Sequence, residues 1–374
     1  MKIAIIGCGY SADYYLQTLP LHPELELVGV YDKNAERQRQ FVECYKIRGL
    51  NSLDEVLNST AEIVLNITNP DSHYAVSKAC LEAGKHVYSE KPLAMSFHQA
   101  KELFDISKSK GLLLVSAPCS VLGESAQTMW KALRDKVIGN VYAVYAEMDD
   151  GLVSHMPHRR WRSRSGAPWP SKDEFEVGCT LEHAGYVLPW LCAMFGPATD
   201  VTAFGCTTIA DKKTDEPLNQ ISSDLTVACV RFSSGVVARL TCSIVAQHNH
   251  QIRVFGETGI LGTNESKHFR SPVWVKRIFS IRRRMIVSPW KKKLPLAGKS
   301  NPKPRHEGSA CMDFCRGPAE MANSLVEKRA CRLSPQFSLH VNELALSIHE
   351  AGIEGISRKL TTTFEPIDPM PWAV

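Results

Sequence analysis

The sequence predicts an α/β protein in two parts. Residues 1–121 read as a Rossmann-type parallel-sheet domain, and residues 122–374 as an α+β domain with an open, mostly antiparallel sheet. Three observations predict this. Over the first 120 residues, strands apolar throughout alternate with helical patterns, as a parallel sheet covered on both faces requires. The run GCGYSA (7–12) falls between the first strand and the first helix. Beyond residue 120 the strands alternate with period two and are joined by short turns, which fits a sheet with one solvated face.

The parallel series is KIAIIG (2–7), LELVGVYD (25–32), AEIVLNIT (61–68), HVYSEK (86–91) and LLLVSAPC (112–119). Helices are expected over Ala12–Leu19, Ala35–Tyr45, Ser72–Glu82 and Ser96–Ser109, with Gly84 and Gly111 where C-terminal caps belong. In the second half, VYAVYAEM (141–148) is a half-buried strand. DLTVACVRF and VVARLTCSIVA form a hairpin about Ser233-Ser234-Gly235, and IRVFG and ILGT form another about Glu257-Thr258-Gly259. Long helices are expected over 179–195 and about 335–353. Pro189 should kink the first of these beside Tyr186, because its ring clashes with the carbonyl of Gly185.

At 374 residues the chain is long enough for two domains, and 44 % apolar with 22 % charged residues is ordinary for a globular protein. No apolar run approaches the ~20 residues of a membrane span. The start, MKIAIIGCGY, reads as a strand rather than a signal peptide, because the apolar run breaks at Gly7 without a small-residue cleavage site. Twelve cysteines with no CxxC pair read as reduced thiols in a cytoplasmic protein. Cys206, Cys229 and Cys242 serve as small hydrophobes in strands. Cys311 and Cys315, four apart on an expected helix, make a poor zinc pair, and no metal site is expected. From Ser266 to His306 there are thirteen Lys and Arg and no Asp or Glu; taken from the net +5, they leave −8 for the rest of the chain. An acidic remainder without a nucleic-acid fold signature points to a solvated loop or subunit contact rather than to nucleic acid or a membrane. The segment is the least regular of the chain.

GCGYSA is a GxGxxA turn. Gly7 makes the tight turn, Gly9 lets backbone approach a pyrophosphate, and Ala12 keeps the helix close to the sheet. Tyr10 and Ser11 complete the loop. Asp32 ends the next strand, 20 residues past Ala12, where a carboxylate accepts from the adenosine ribose hydroxyls and repels a 2′-phosphate. NAD is therefore expected over NADP, although Lys33 and Arg37 could hold a phosphate.

Together with SEKPLA (89–94), these residues make the amino-terminal half resemble the Gfo/Idh/MocA family of nicotinamide-dependent oxidoreductases. The resemblance covers 1–121 well, through AIIGCGYSA, ITNPDSHY and AGKHVYSEKPLA, and continues more loosely through VGCTLEHAGYVLPWL, RFSSGVVARL and PQFSLHVNELALSI. It implies that Glu90 and Lys91 form the signature pair, with Lys91 beside the nicotinamide and Glu90 touching the ribose or orienting Lys91. Burial and a cationic ring would lower the pKa of Lys91 and let it exchange a proton with a substrate hydroxyl. Thr68 and Asn69 would line the nicotinamide pocket. His73 is either a further cofactor contact or an exposed first-turn residue without function. Many members carry Asp-x-x-x-His on a helix where this chain has Glu182 and Tyr186. Positions four apart share a helix face, which supports that pairing and rotates His183 away into packing or a secondary polar contact. A phenol in place of the histidine is a better acid than base, and Lys91 would lower its pKa.

The stretch HMPHRRWRSRSGAPWP (155–170) suits an anionic group and a sugar ring stacked on Trp, or else is a solvated loop. Arg316 is a further pocket candidate. The resemblance implies hydride transfer between NAD and a secondary alcohol or ketone of a sugar, sugar acid or nucleotide sugar, with Lys91, Tyr186 and Glu182 as catalytic residues. The alternatives are a redox-neutral glycosidase that retains NAD, and a non-catalytic sensor of NAD and sugar. The open sheet face predicts a homo-oligomer, dimer or tetramer.

Overall fold

A computed structural model describes residues 1–298 and 311–374. The amino-terminal sheet is fully parallel, in the order β2-β1-β3-β4-β5, with β1 Lys2–Ile6, β2 Glu26–Tyr31, β3 Ile63–Asn66, β4 His86–Ser89 and β5 Leu114–Ser116. Helices α1 (Ala12–Thr18), α2 (Ala35–Tyr45), α3 (Leu53–Leu57), α4 (Pro70–Glu82) and α5 (Phe97–Lys110) connect the strands. The side chains of Ile3, Ile5, Ile63 and Leu65 are fully buried, each contributing about 1.5–3 kcal/mol. Gly111 caps α5 in the left-handed conformation, as expected. The short α3 carries no amphipathic period of its own and is set by Ser52, which accepts from the Glu55 N–H.

The second part opens with α6 (Glu124–Arg134) and β6 (Val141–Asp149), followed by α7 (Ser171–Val177), α8 (Cys179–His183) and α9 (Leu188–Phe195). Then come β7 (Ala198–Cys206), β8 (Leu225–Phe232), β9 (Val237–Ser243), β10 (Ile252–Gly256), β11 (Gly259–Thr263) and β12 (Val273–Ile281). β13 (Arg284–Val287), β14 (Lys292–Lys293), α10 (Arg316–Val326), α11 (Pro335–Glu354) and β15 (Arg358–Lys359) complete it. The strands form one open sheet in the order β13-β12-β11-β10-β6-β9-β8-β7-β15, with β14 also on β12. Its pairs are antiparallel except β6·β9. The outer face leaves Tyr142, Phe204, Val227 and Val237 exposed.

The two parts share a core. Helix α11 packs under the second sheet and reaches back, its Ser338 Oγ accepting from the Ser116 N–H at 3.0 Å. Asn342 brackets Ala94, accepting its N–H at 3.4 Å and donating to its carbonyl at 3.3 Å.

Four sequence expectations change. The helix expected over 179–195 is broken by a 3₁₀ turn at Ala184–Tyr186, and Pro189 sits in the first turn of α9, where a missing N–H costs nothing. The axis therefore breaks beside Tyr186, where the kink is expected, but as a change of helix type between two short helices rather than as a bend in one continuous helix. The basic segment is regular where it is described, since β12, β13 and β14 lie within it; residues 299–306 fall outside the described residues. Cys311 and Cys315 do not share a helix, because Cys315 is the N-cap of α10. Cys242 is buried and Cys206 half-buried, but Cys229 is exposed on the outer face of β8.

Candidate active site

A cavity of about 960 Å³ opens along the carboxyl ends of the parallel strands and continues under the second sheet. One end is lined by Gly7, Gly9, Tyr10, Ser11, Asp32, Lys33 and Arg37. Gly7 has a φ of +100°, and a Cβ there would stand 2.4 Å from the Ile67 carbonyl oxygen, so only glycine fits. A Cβ on Gly9 would meet nothing within 4 Å and would project into open space, the room a pyrophosphate needs. Ala12 does not line the cavity; it is fully buried beneath the turn, which suits its packing role. Asp32 accepts the Cys8 N–H through Oδ2 and the Asn34 N–H through Oδ1, both at 2.8 Å, and so fixes the glycine turn against the end of β2. Backbone approach, a helix start and a buried carboxylate fit a dinucleotide.

Midway lie Thr68, Asn69, His73, Glu90 and Lys91. His73 is not the exposed residue that its first-turn position suggests. It is fully buried, with Nδ1 2.6 Å from the Pro92 carbonyl and Nε2 3.0 Å from the Thr68 carbonyl. Burial lowers its pKa although both carbonyls favour the charged ring, and a neutral ring donates to one of them while its other nitrogen only abuts the second; it packs between the loops that carry Thr68 and Lys91. Glu90 accepts from the Tyr15 hydroxyl at 2.7 Å and from the Lys91 N–H at 3.1 Å. It therefore fixes the backbone from which Lys91 projects.

At the far end, Lys91 of the first domain meets the broken helix of the second. Its ammonium donates to Glu182 in a short, largely buried ion pair and lies 5.8 Å from the ring centre of Tyr186. A second ammonium, that of Lys267, lies 4.7 Å from the same ring centre. Gly185 packs beside the Lys91 stem: a Cβ there would stand 3.7 Å from the Lys91 Cβ and Cγ, an ordinary van der Waals contact.

The electrostatics correct both expectations for the proton-handling pair. Burial does push the Lys91 pKa down, but Glu182, Tyr186 and Glu90 outweigh it, and the net shift is upward. Tyr186 is likewise raised: Lys91 lowers its pKa, yet burial and the carboxylates of Glu90, Glu182 and Asp150 prevail. Among the protein's own groups, both are held protonated.

Beside Tyr186 lies an ion network that the sequence did not reveal. His183 Nε2 is 2.6 Å from Glu174, and its Nδ1 is 2.7 Å from Asp150 but off the hydrogen-bond axis, so charge rather than direction binds that side. Burial opposes its charge, but the two carboxylates raise its pKa to about 9. Asp150 also takes Lys267 at 2.7 Å and His250 at 2.9 Å, and His250 continues to Glu265 at 2.7 Å. Lys267 and His183 hold the Asp150 carboxyl well below the usual carboxylate range against the effect of burial. Asp173, on the cavity wall, goes the other way: burial, then Glu182, Asp71 and Glu176, push it up to about 6.

The loop 155–170 reaches the cavity with His158, Trp161, Arg162 and Trp169; the two indoles pack edge to face at 5.1 Å. Ser165 ties this loop to the first domain, donating to the Asp13 carboxylate from its N–H at 2.9 Å and its hydroxyl at 2.7 Å. Arg316 is not in the cavity. It is buried against Glu124 at 3.0 Å and Asp313 at 3.3 Å, where it joins α10 to α6. Sequence reasoning missed Asp150, Asp173, Glu174 and Lys267. The signal present was the acidic end of a period-two strand for Asp150, and none is visible for Asp173 and Glu174.

Fold and site define a two-domain dinucleotide-binding protein with ionisable side chains facing the cofactor turn across one cavity. The NAD-binding Rossmann model of the oxidoreductase family matches residues 1–117, and the GFO/IDH/MocA C-terminal domain model matches 126–262. The chain belongs to the Gfo/Idh/MocA family of oxidoreductases. It is similar to trans-1,2-dihydrobenzene-1,2-diol dehydrogenase of Sus scrofa, 21 % identical over 370 residues that cover 97 % of this chain and 98 % of that one. It shares its fold with levoglucosan dehydrogenase in complex with NADH and levoglucosan (TM-score 0.77, 16 % identity, 96 % of this chain and 99 % of that one). The WlbA dehydrogenase of Bordetella pertussis in complex with NADH and UDP-GlcNAcA is similar in the same way (TM-score 0.73, 18 % identity, 96 % and 98 %). Among the described residues no helix is long and apolar enough to cross a membrane.

Proposed function

We propose that this chain transfers a hydride between NAD and a secondary alcohol or ketone of a sugar that carries an anionic substituent, such as a sugar acid or nucleotide sugar. The observation that carries the reading is the meeting of Lys91 with Glu182 and Tyr186 from opposite domains, in the cavity that begins at the glycine turn. The anionic substituent is argued from Lys267 and Arg162 on the cavity wall, and the sugar ring from Trp161 and Trp169 beside them. Relatives that act on levoglucosan or bind UDP-GlcNAcA agree with a carbohydrate.

Gly7, Gly9, Tyr10, Ser11 and Asp32 would hold the dinucleotide, and Asp32 favours NAD over NADP because a 2′-phosphate would meet a buried carboxylate. Bound NAD supplies the hydride acceptor or donor. The chain's own residues handle the proton. Lys91 and Tyr186, both held protonated, are poised to donate to a developing alkoxide, which suits ketone reduction. In the oxidative direction Asp173 can take up the proton, because its carboxylate is available above about pH 6. Glu182 keeps the Lys91 ammonium in place.

The test is to purify the protein and follow reduced-nicotinamide absorbance with NAD or NADH against nucleotide sugars, sugar acids, anhydro sugars and cyclitols. One class should turn over, with loss of turnover in Lys91→Ala. Glycosidic cleavage without net change in NAD would replace this reading with a redox-neutral glycosidase. Binding without turnover, unchanged in Lys91→Ala, would replace it with a sensor.

A further inference from the structure

We propose that the β12–β13 ribbon is an arm that docks on the acidic body of a second copy of this chain. Residues Val273–Arg277 of β12 pair with β11 inside the sheet and Ile278 still donates its N–H to the Thr258 carbonyl at 3.0 Å, but among the described residues Phe279–Ile281 pair only with β13. Beyond Ile278 the result is a two-stranded ribbon that no third strand flanks among the described residues. Such a ribbon is marginal in water unless something covers it.

Its side chains agree. Phe279 opposes Ile286 on one face, with Ile281 beside them; Met285 and Val287 lie on the other. All five are more than two-fifths exposed, and Trp290, just beyond β13, is 80 % exposed. A ribbon apolar on both faces is more than scattered surface hydrophobes and marks a contact.

Charge selects the occupant. Residues 276–293 contain eight Lys and Arg and no Asp or Glu, whereas the chain outside 266–306 is net −8. Three arginines, Arg282, Arg283 and Arg284, stand at the turn, so the tip presents cations first. That order suits an acidic protein surface better than a bilayer interior, where the tip would have to be apolar. Arg282 has a φ of +56°, a left-handed position that Gly or Asn fills at lower cost. Charge is thus placed at the tip despite the backbone preference. Two ribbons would repel each other, so each arm reaches the other protomer's body, giving a contact made twice around a two-fold axis.

Size-exclusion chromatography with light scattering tests this on the full chain, with no substrate needed. The expected mass is two or more chains of 41.6 kDa. Phe279→Thr with Ile286→Thr, which keeps strand-forming residues at this cross-strand pair, should reduce it to one chain, with circular dichroism and melting temperature unchanged because both positions are exposed. Replacing Arg282, Arg283 and Arg284 by Ser, which leaves the apolar faces intact, should weaken self-association at least tenfold. A single-chain mass for the unaltered protein at all concentrations overturns the proposal, as does an unchanged mass in the Phe279/Ile286 variant. Single chains that sediment with phosphatidylserine vesicles, or that bind nucleic acid, overturn it as well and give the ribbon to that ligand.

Discussion

On the proposed function, the cofactor end of the cavity is shaped chiefly by backbone, and the substrate end by side-chain charge. At the first end, the lining comes from short segments at the carboxyl ends of β1, β2 and β3, and its shape depends on a glycine with a φ of +100° and on N–H groups held by Asp32. At the other, Asp150, Glu174, His183 and Lys267 are joined by ion pairs, and Lys91 is paired with Glu182 beside them. The difference teaches where each end is vulnerable. A backbone site fails chiefly by steric change; a charge site fails when one partner is removed, because the others remain buried and uncompensated.

The largest expected effect is on chemistry. Lys91→Ala should lower turnover by about 10²–10⁴-fold while NAD affinity, measured by fluorescence titration, changes little. A comparable loss of NAD binding would merge the two ends and break the contrast. Next, Asp150→Asn leaves His183, Lys267 and His250 around a neutral amide and should destabilise the fold by about 3–5 kcal/mol in urea titration. The Gly7 and Gly9 pair sharpens the other side. Gly7→Ala forces a clash with the Ile67 carbonyl at a positive φ and should cost at least ~2–3 kcal/mol. Gly9→Ala should melt like the unaltered protein yet bind NAD at least tenfold more weakly.

The network also has a pH window. The His183 pKa is raised to about 9 from 6.5, so its share of stability is complete below pH 6.5 and lost as pH rises through about 9. Asp150, depressed, contributes above the usual carboxylate range and loses its share on acidification. Melting temperature should therefore fall between pH 6.5 and 9, and His183→Gln should flatten that decline. An equally steep decline in the variant would assign it elsewhere.

This contrast also explains what could be read from sequence. The parallel sheet, the glycine turn and Asp32 were legible because contiguous residues make them and local backbone rules govern them. The pairing of Glu182 and Tyr186 with Lys91 was legible only through resemblance, since the residues lie 91 and 95 positions apart. His183, which the helix spacing sets aside, proves to be a central ion of the network because a 3₁₀ turn replaces the expected continuous helix. Lys267 was hidden inside a basic run whose other described members are mostly exposed, and nothing in sequence separates this buried ammonium from those. The raised pKa of Lys91 was likewise invisible, because the Glu182 contact that decides its sign is a tertiary one.

The smallest effect separates the two directions of proton transfer. Lys91 and Tyr186 are both held protonated, so neither is free to accept a proton near neutral pH, and an oxidative turnover needs another acceptor. Asp173 lines the same cavity and titrates at about 6 because burial and three neighbouring carboxylates disfavour its charge. A base must be deprotonated to act, so oxidation should rise as pH passes about 6, while reduction, which uses the donors already in place, should show no such limb. Asp173→Asn should remove the limb and lower oxidative kcat by about tenfold, the low end of general-base effects, with reductive kcat nearly unchanged. If both directions fall equally, Asp173 shapes the cavity rather than accepting the proton, and Glu182 becomes the acceptor once substrate displaces its contact with Lys91.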